Sequence, residues 1–226
     1  MRGKIIVIEG TDCSGKETQT ALLEQRLRKE GKSIQRFSFP MYQSATGKIV
    51  GGPYLGKNYI SEGYFKEGAD KVDPKVAALY YAADRKYNSR LINDILESGN
   101  NIILDRYVES NMAHQGGKIF DKEKRLDMYN WLSKLEYELL ELPKPDLTIF
   151  LHMPYEKVKE LKAIRGNDGD QHENSPIHIK NAESAYLELA DIYDFKTIKC
   201  TTKDLKLRRI EDIHDEIYDI IKNNID

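Results

Sequence analysis

The stretch Ile5-Ile6-Val7-Ile8-Glu9-Gly10-Thr11-Asp12-Cys13-Ser14-Gly15-Lys16 decides the fold. Four consecutive β-branched residues read as a short strand buried on both faces. Gly10, Gly15 and Lys16 give the spacing G-x-x-x-x-G-K. Beyond them Ala21, Leu22, Leu23 and Leu27 recur at helical spacing, and Gly31 ends the helix. Strand, glycine turn and helix in that order make a phosphate cradle. The glycines let several backbone N–H groups face one phosphate, and the helix N-terminus adds about half a positive charge. Lys16 reaches the outer phosphates, where charge builds during transfer. A plain glycine turn is the competing reading, and the strand–loop–helix context weighs against it. Gly10, Thr11, Asp12, Cys13, Ser14, Gly15, Lys16, Glu17 and Thr18 are thus the candidate nucleotide-binding residues, with Lys16 catalytic. Glu17 stands where Ser or Thr usually binds magnesium. A carboxylate beside phosphates is unwelcome, so Glu17 is expected to point outward. Mg²⁺ is then held by phosphate oxygens, water and Asp12.

Outward from the cradle, strands and helices alternate. Ile34 to Phe39 reads as a second strand stopped by Pro40, and 41–72 as a loop-rich region with one short helix. Asp73-Pro74 opens a long helix to about Glu97, because Asp caps and Pro suits the first position. Ile102 to Leu104 is a third strand, Lys122 to Leu140 a helix, Leu147 to Leu151 a fourth strand, and Pro154 begins another helix. Residues 165–176 are polar and read as a mobile loop. Ile177 to Tyr193 is helical, Phe195 to Lys199 a fifth strand, and Asp204 to Lys222 a closing helix. Such alternation implies right-handed crossovers and a parallel sheet with helices on both faces, an α/β fold. No linker divides the chain, so one domain over 1–226 is expected.

The 226 residues carry a net charge of −2, so no basic field points to nucleic acid. The first apolar run stops at Glu9, too short for a secretory signal, and nothing approaches a membrane span. Two distant cysteines, Cys13 and Cys200, form no disulfide framework or metal pattern. A cytoplasmic location is expected.

Glu9-Gly10-Thr11-Asp12, Phe39-Pro40, Leu104-Asp105-Arg106-Tyr107 and Leu142-Pro143-Lys144-Pro145-Asp146-Leu147, taken in order, resemble the thymidylate kinase family. The similarity runs from Ile5 to about Cys200. It implies a three-layer P-loop kinase fold with five parallel strands and a lid loop, a homodimer, and phosphoryl transfer from Mg-ATP to dTMP. By the same resemblance Asp12 is the carboxylate near the acceptor sugar and the magnesium, and Arg106 holds the acceptor phosphate near the donor. Tyr81 and Arg85 match an aromatic-x-x-x-Arg pair whose ring stacks on thymine while the arginine reaches its carbonyl. Asn111 matches a base-contacting position, Tyr42, just after Phe39-Pro40, a side chain touching the acceptor phosphate, and His114 a position near the sugar, where many relatives carry tyrosine. Phe39, Tyr42, Tyr81, Arg85, Arg106, Asn111 and His114 are therefore the candidate acceptor-binding residues. Independently of the family, Tyr81 and Arg85 lie four apart on a helix and share a face, where they suit a flat polar base. A core tyrosine and a solvated arginine remain the competing reading.

The lid departs from the family. Phosphoryl transfer needs mobile cations around a charged transition state. The phosphate loop carries no arginine, and Asp170-Gln171-His172-Glu173 stands where the family has Asp-Arg-x-Glu. Arg165 is the first remaining candidate and Lys162 the second; Arg165 simply ending its helix is the alternative. Glu173 is a candidate magnesium-orienting residue. His172 and His178 alone offer too few ligands for zinc. A kinase for another nucleotide or deoxynucleoside, or a weakly active nucleotide sensor, stays open. A GTPase does not fit, since no guanine-reading Asn-Lys-x-Asp is present.

Overall fold

The structure, a computed structural model, describes residues 2–165, 175–222 and 224, leaving aside the side chain of residue 165. Five parallel strands, β1 (Ile5–Gly10), β2 (Ile34–Ser38), β3 (Asn101–Asp105), β4 (Leu147–His152) and β5 (Lys196–Lys199), form one sheet in the order β2-β3-β1-β4-β5. The helices are α1 (Lys16–Lys29), α2 (Ala45–Ile49), α3 (Pro74–Glu97), α4 (Val108–Gly116), α5 (Lys122–Ser133), α6 (Tyr155–Arg165), α7 (Pro176–Ile192) and α8 (Ile210–Ile221).

β1 lies between β3 and β4, with Val7 opposite both Leu104 and Thr148. Its side chains alternate between two cores. Ile5 and Val7 pack with Leu96, Met112, Tyr129 and Leu189 on one face. Ile6 and Ile8 pack with Leu23, Leu27, Val158 and Ile217 on the other. This double coverage is why the strand reads as unbroken β-branched residues. A smaller cluster of Val50, Tyr54, Leu55, Ala69, Val72 and Ala77 closes the region after β2 and packs against Tyr81.

The start of α3 falls where the sequence puts it, and several other bounds move. α3 starts at Pro74 with Asp73 as its cap, its carboxylate accepting from Lys75 N and Val76 N. The expected helix to Leu140 is α-helical only to Ser133 and continues as a π-turn over Lys134–Leu139. The single short helix expected in 41–72 is α2, followed by a π-turn over Val50–Tyr54. The closing helix begins at Ile210 rather than Asp204: Leu205 takes φ 56°, and Thr201 bridges Leu207 in a tight turn instead.

α4 was not foreseen. No side chain of its own caps it. Glu9 does so from β1, accepting Tyr107 N at 2.8 Å, Ser110 N at 3.1 Å and Ser110 Oγ at 2.6 Å. A carboxylate at a helix N-terminus satisfies orphan donors and matches the dipole, and here it comes from about a hundred residues upstream.

On α4, Glu109 is buried with its Oε2 lacking a partner among the described residues. Tyr137 donates to the other oxygen. Burial foremost, then the nearby Glu9, raises the Glu109 pKa to about 7, against the bond from Tyr137. The folded state thus holds a proton that the unfolded chain releases near pH 4.5, so Glu109 costs stability increasingly as pH rises from about 4.5 to about 7, by about 3 kcal/mol in full. Glu109→Gln should therefore raise the melting temperature at pH 8 and lose that advantage towards pH 5. A gain independent of pH would show that the carboxyl does not titrate there.

Candidate active site

The loop after β1 takes a shape that side chains resist. Cys13 has φ 56° and Gly15, preceding α1, φ 82°. A Cβ at Gly10 would lie 2.5 Å from Ser14 Oγ and 2.8 Å from Leu151 O, so only glycine fits there. Thr11 pins the loop to the end of β4: its hydroxyl donates to Met153 O (2.9 Å) and accepts from Met153 N (3.2 Å). Lys16 is buried, with Nζ donating to Thr11 O at 3.0 Å. Burial first, and then Arg106, bring its pKa down to about 8, partly offset by Asp105, Asp12 and Glu9. An anion in the loop would reverse that shift. Glu17 and Thr18 are exposed, and both still border the cavity described below.

Arg106 follows β3 with φ 67° and is fixed on every side. Its Nη1 contacts Gly10 O (3.3 Å), Ser110 Oγ (3.2 Å), Tyr186 Oη (3.0 Å) and His114 Nε2 (3.3 Å). Its Nη2 reaches Asp12 Oδ1 at 3.3 Å. Burial opposes the charge, but Tyr186, Asp12, Glu9 and Asp105 more than offset it and raise the pKa. Lys162, on α6, donates to Asp12 Oδ2 at 3.0 Å. Asp12 thus sits between two cations. Burial would raise its pKa, yet Arg106, Lys162 and Lys16 hold it well below the usual carboxylate range.

A cavity of about 390 Å³ runs from this loop to a second end. Lys16, Asp12 and Arg106 border the first end. Phe39, Tyr42, Tyr81, Arg85, Asn111 and His114 border the second, so every proposed acceptor residue faces one space. The peptide bond between Phe39 and Pro40 is cis. The Lys57 ammonium lies 5.3 Å from the Tyr42 ring centre, and Tyr81 meets Tyr54 edge-on at 5.7 Å.

Arg85 is neither solvated nor simply facing the cavity. It is buried and grips both carboxylate oxygens of Glu136, with Nη2 to Oε1 at 2.7 Å, and donates through Nη1 to Tyr107 O at 3.3 Å. Asn111 Nδ2 donates to the same carboxylate at 2.9 Å. Asn111 Oδ1 and both amide atoms of Gln115 are buried with no partner among the described residues, and both residues border the cavity. Orphaned buried polar atoms cost about 1–3 kcal/mol each unless something binds them.

Sequence reasoning did not single out Gln115, Glu136, Ser110 or Tyr186, and it took Glu9 as the end of an apolar run and the start of a family motif, with no role of its own. A carboxylate closing a strand that is buried on both faces was the one usable signal for Glu9. Lys162, placed second among the lid cations, is the one that touches the phosphate loop. The Arg165 side chain, Gln171 and Glu173 lie outside the described residues. Among the described residues no three His, Cys, Asp or Glu side chains converge on a metal-sized site, and no helix is long and apolar enough to cross a membrane.

A phosphate loop at the centre of a doubly wound parallel sheet, opening onto a slot lined by polar and aromatic side chains, is the layout of a P-loop phosphotransferase acting on small acceptors. The family model described as thymidylate kinase matches residues 8–217. The chain is 31% identical to the thymidylate kinase of Halothermothrix orenii over 229 residues, covering 98% of each. It is 29% identical to that of Schizosaccharomyces pombe, over 98% of this chain and 93% of the other. The solved structure of thymidylate kinase from Candida albicans superposes with a TM-score of 0.72 at 26% identity, covering 99% of this chain and 92% of that one. The chain belongs to the thymidylate kinase family.

Proposed function

We propose that the protein transfers the γ-phosphoryl group of ATP to dTMP, giving ADP and dTDP. One observation carries the reading. The cavity joins Lys16 to a slot bordered by Tyr81, Asn111 and Gln115, where Asn111 Oδ1 and both amide atoms of Gln115 are buried with no partner among the described residues. A thymine ring offers a flat face for the tyrosine, and its imide edge alternates acceptor, donor and acceptor, which suits two carboxamides. Lys16 and the loop N–H groups hold the donor phosphates, and Arg106 draws the acceptor phosphate towards them. Asp12 and Asp105 border the phosphate end and fit a magnesium ion held mainly by phosphate oxygens and water, which needs no closed set of protein ligands. That ion would neutralise charge building on the transferring group.

A panel of nucleotide and nucleoside acceptors in a coupled ADP assay tests this. dTMP should be turned over with the highest kcat/KM. A better nucleoside, or no turnover with any acceptor, would overturn it. The Candida albicans structure is described as revealing the origin of broad substrate specificity in that enzyme, which is why the panel includes purine monophosphates.

The moving cation is the other proposal. Lys162 and Arg165 are three apart on α6, the spacing that puts helical neighbours on one face. Lys162→Met and Arg165→Ala should each lower kcat, the more important one by about a hundredfold, with KM nearly unchanged, as for an interaction made mainly in the transition state. Full turnover by both variants would remove the α6 cations from the reaction.

One domain spans 1–226. A homodimer is supported by the apolar residues Val76, Leu79, Tyr87 and Leu91 that α3 leaves exposed. Neither Cys13 nor Cys200 forms a disulfide, in keeping with a cytoplasmic protein, and its partners are nucleotides rather than nucleic acid.

A further inference from the structure

His178, in the first turn of α7, is buried beside His114. The two rings meet with His114 Nδ1 and His178 Nε2 3.0 Å apart, and His114 Nε2 lies 3.3 Å from Arg106 Nη1. We infer that His178 is a positioning residue for Arg106, acting through His114. The inference rests on the reading of Arg106 as the residue that holds the acceptor phosphate.

The direction of the chain follows from what each atom can do. A guanidinium only donates, so His114 Nε2 must accept. A neutral His114 then carries its proton on Nδ1 and donates it to His178 Nε2. His178 in turn carries its proton on Nδ1. The bond that one nitrogen makes sets the tautomer of the whole ring. Three residues from β3, α4 and α7 are thereby locked in one order, and Tyr186, edge-on to His114 at 5.9 Å, closes the remaining side. His178 lies in the first turn of α7, so a shift there is felt at Arg106.

The chain works only while both imidazoles are neutral. A proton on His114 Nε2 would point an N–H at the guanidinium. A proton on His178 Nε2 would set two N–H groups face to face. The groups around the pair pull in both directions. Asp12 and Glu9, from the first strand and its loop, and Asp105, from the end of β3, favour protonation. Arg106, Lys16 and, from α6, Lys162 oppose it. Glu183 on α7 is taken up by His152 and Tyr155 N, and Glu109 on α4 by Tyr137. Acid should therefore loosen Arg106, because a proton added to either ring breaks this order.

Three measurements test the inference. Nitrogen-15 NMR of the imidazoles at pH 8 should show the Nδ1–H tautomer for both residues. An Nε2–H tautomer or a charged ring at either position would overturn it. This readout does not depend on the acceptor, so it stands or falls apart from the assignment of dTMP. His178→Phe removes the acceptor of His114 and should lower kcat/KM for dTMP about tenfold, the size expected for one bond in a charged network, with KM for ATP unchanged. His178→Gln puts a carbonyl oxygen near the place of Nε2 and should recover most of that loss while flattening the acid limb of the kcat/KM profile. If Phe and Gln variants share one kinetic defect and one pH profile, or lose only melting temperature, His178 is a packing residue and the inference fails. If dTMP is not an acceptor but the tautomers are as stated, the proposed function fails and the imidazole chain stands.

Discussion

Lys16→Met should lower kcat by about a thousandfold or more, the several kcal/mol expected when a cation on the transferring charge is lost, without unfolding the protein. The reason lies in what Lys16 does before nucleotide arrives. It is buried, it donates to Thr11 O, and burial with Arg106 has brought its pKa down to about 8. A depressed lysine pKa means that the folded, ligand-free protein carries a cation it would rather not hold, and that stability is gained as pH rises through about 8 towards the unfolded value near 10.5. Methionine has similar length and no charge. The variant should melt at the same temperature as the parent at pH 7, or higher, in the absence of ATP. Saturating ATP should then raise the melting temperature of the parent far more than that of the variant. A coupled ADP assay and melting curves with and without ATP check both halves. Turnover at the parental rate would remove Lys16 from the reaction.

The Arg85→Ala change should damage fold and binding together, by about 3–5 kcal/mol of stability and by a raised KM for the acceptor. Arg85 and Glu136 are 3% and 0% exposed in their side chains, so removing the arginine strands a carboxylate in the core. At roughly 2–4 °C per kcal/mol for a chain of this size, the melting temperature should fall by about 10 °C. A single variant therefore does not separate core from site. The double variant Arg85→Met with Glu136→Leu does. Replacing both members of a buried pair by apolar groups is often neutral, so the melting temperature should return. The acceptor slot, however, still lacks its cation, and KM for dTMP should stay high while KM for ATP remains normal. If the double variant binds dTMP as the parent does, Arg85 is a core residue and the slot is read by Asn111 and Gln115 alone.

These two residues mark the limit of what the sequence disclosed. Lys16 was legible because its chemistry is local: two glycines, a preceding apolar strand and a following helix lie within one short stretch. The three central strands and the start of α3 at Asp73-Pro74 were legible for the same reason. Arg85 was placed on the right face by its spacing from Tyr81, but its partner is 51 residues away and reads locally as one more charged position in a helix. α4 escaped because its cap comes from Glu9 and no local residue announces it. Gln115 escaped because an amide without a partner is visible only after the surrounding chain has closed over it.

The order of strands carries a consequence for how the protein is made. The phosphate loop is translated first, yet β1, which holds it, is the middle strand of the sheet. One side of β1 waits for β3 and the other for β4, and the carboxylate at its end waits for Tyr186 to donate at 2.9 Å. Ile5 N waits for Asp146 and Thr11 for Met153. The most diagnostic stretch of the chain is thus the one that spends longest without its neighbours during synthesis, an exposed β-branched edge of the kind that seeks other strands. The nascent protein must shelter β1 until β3 and β4 have emerged, and nucleotide has no complete site to bind before then.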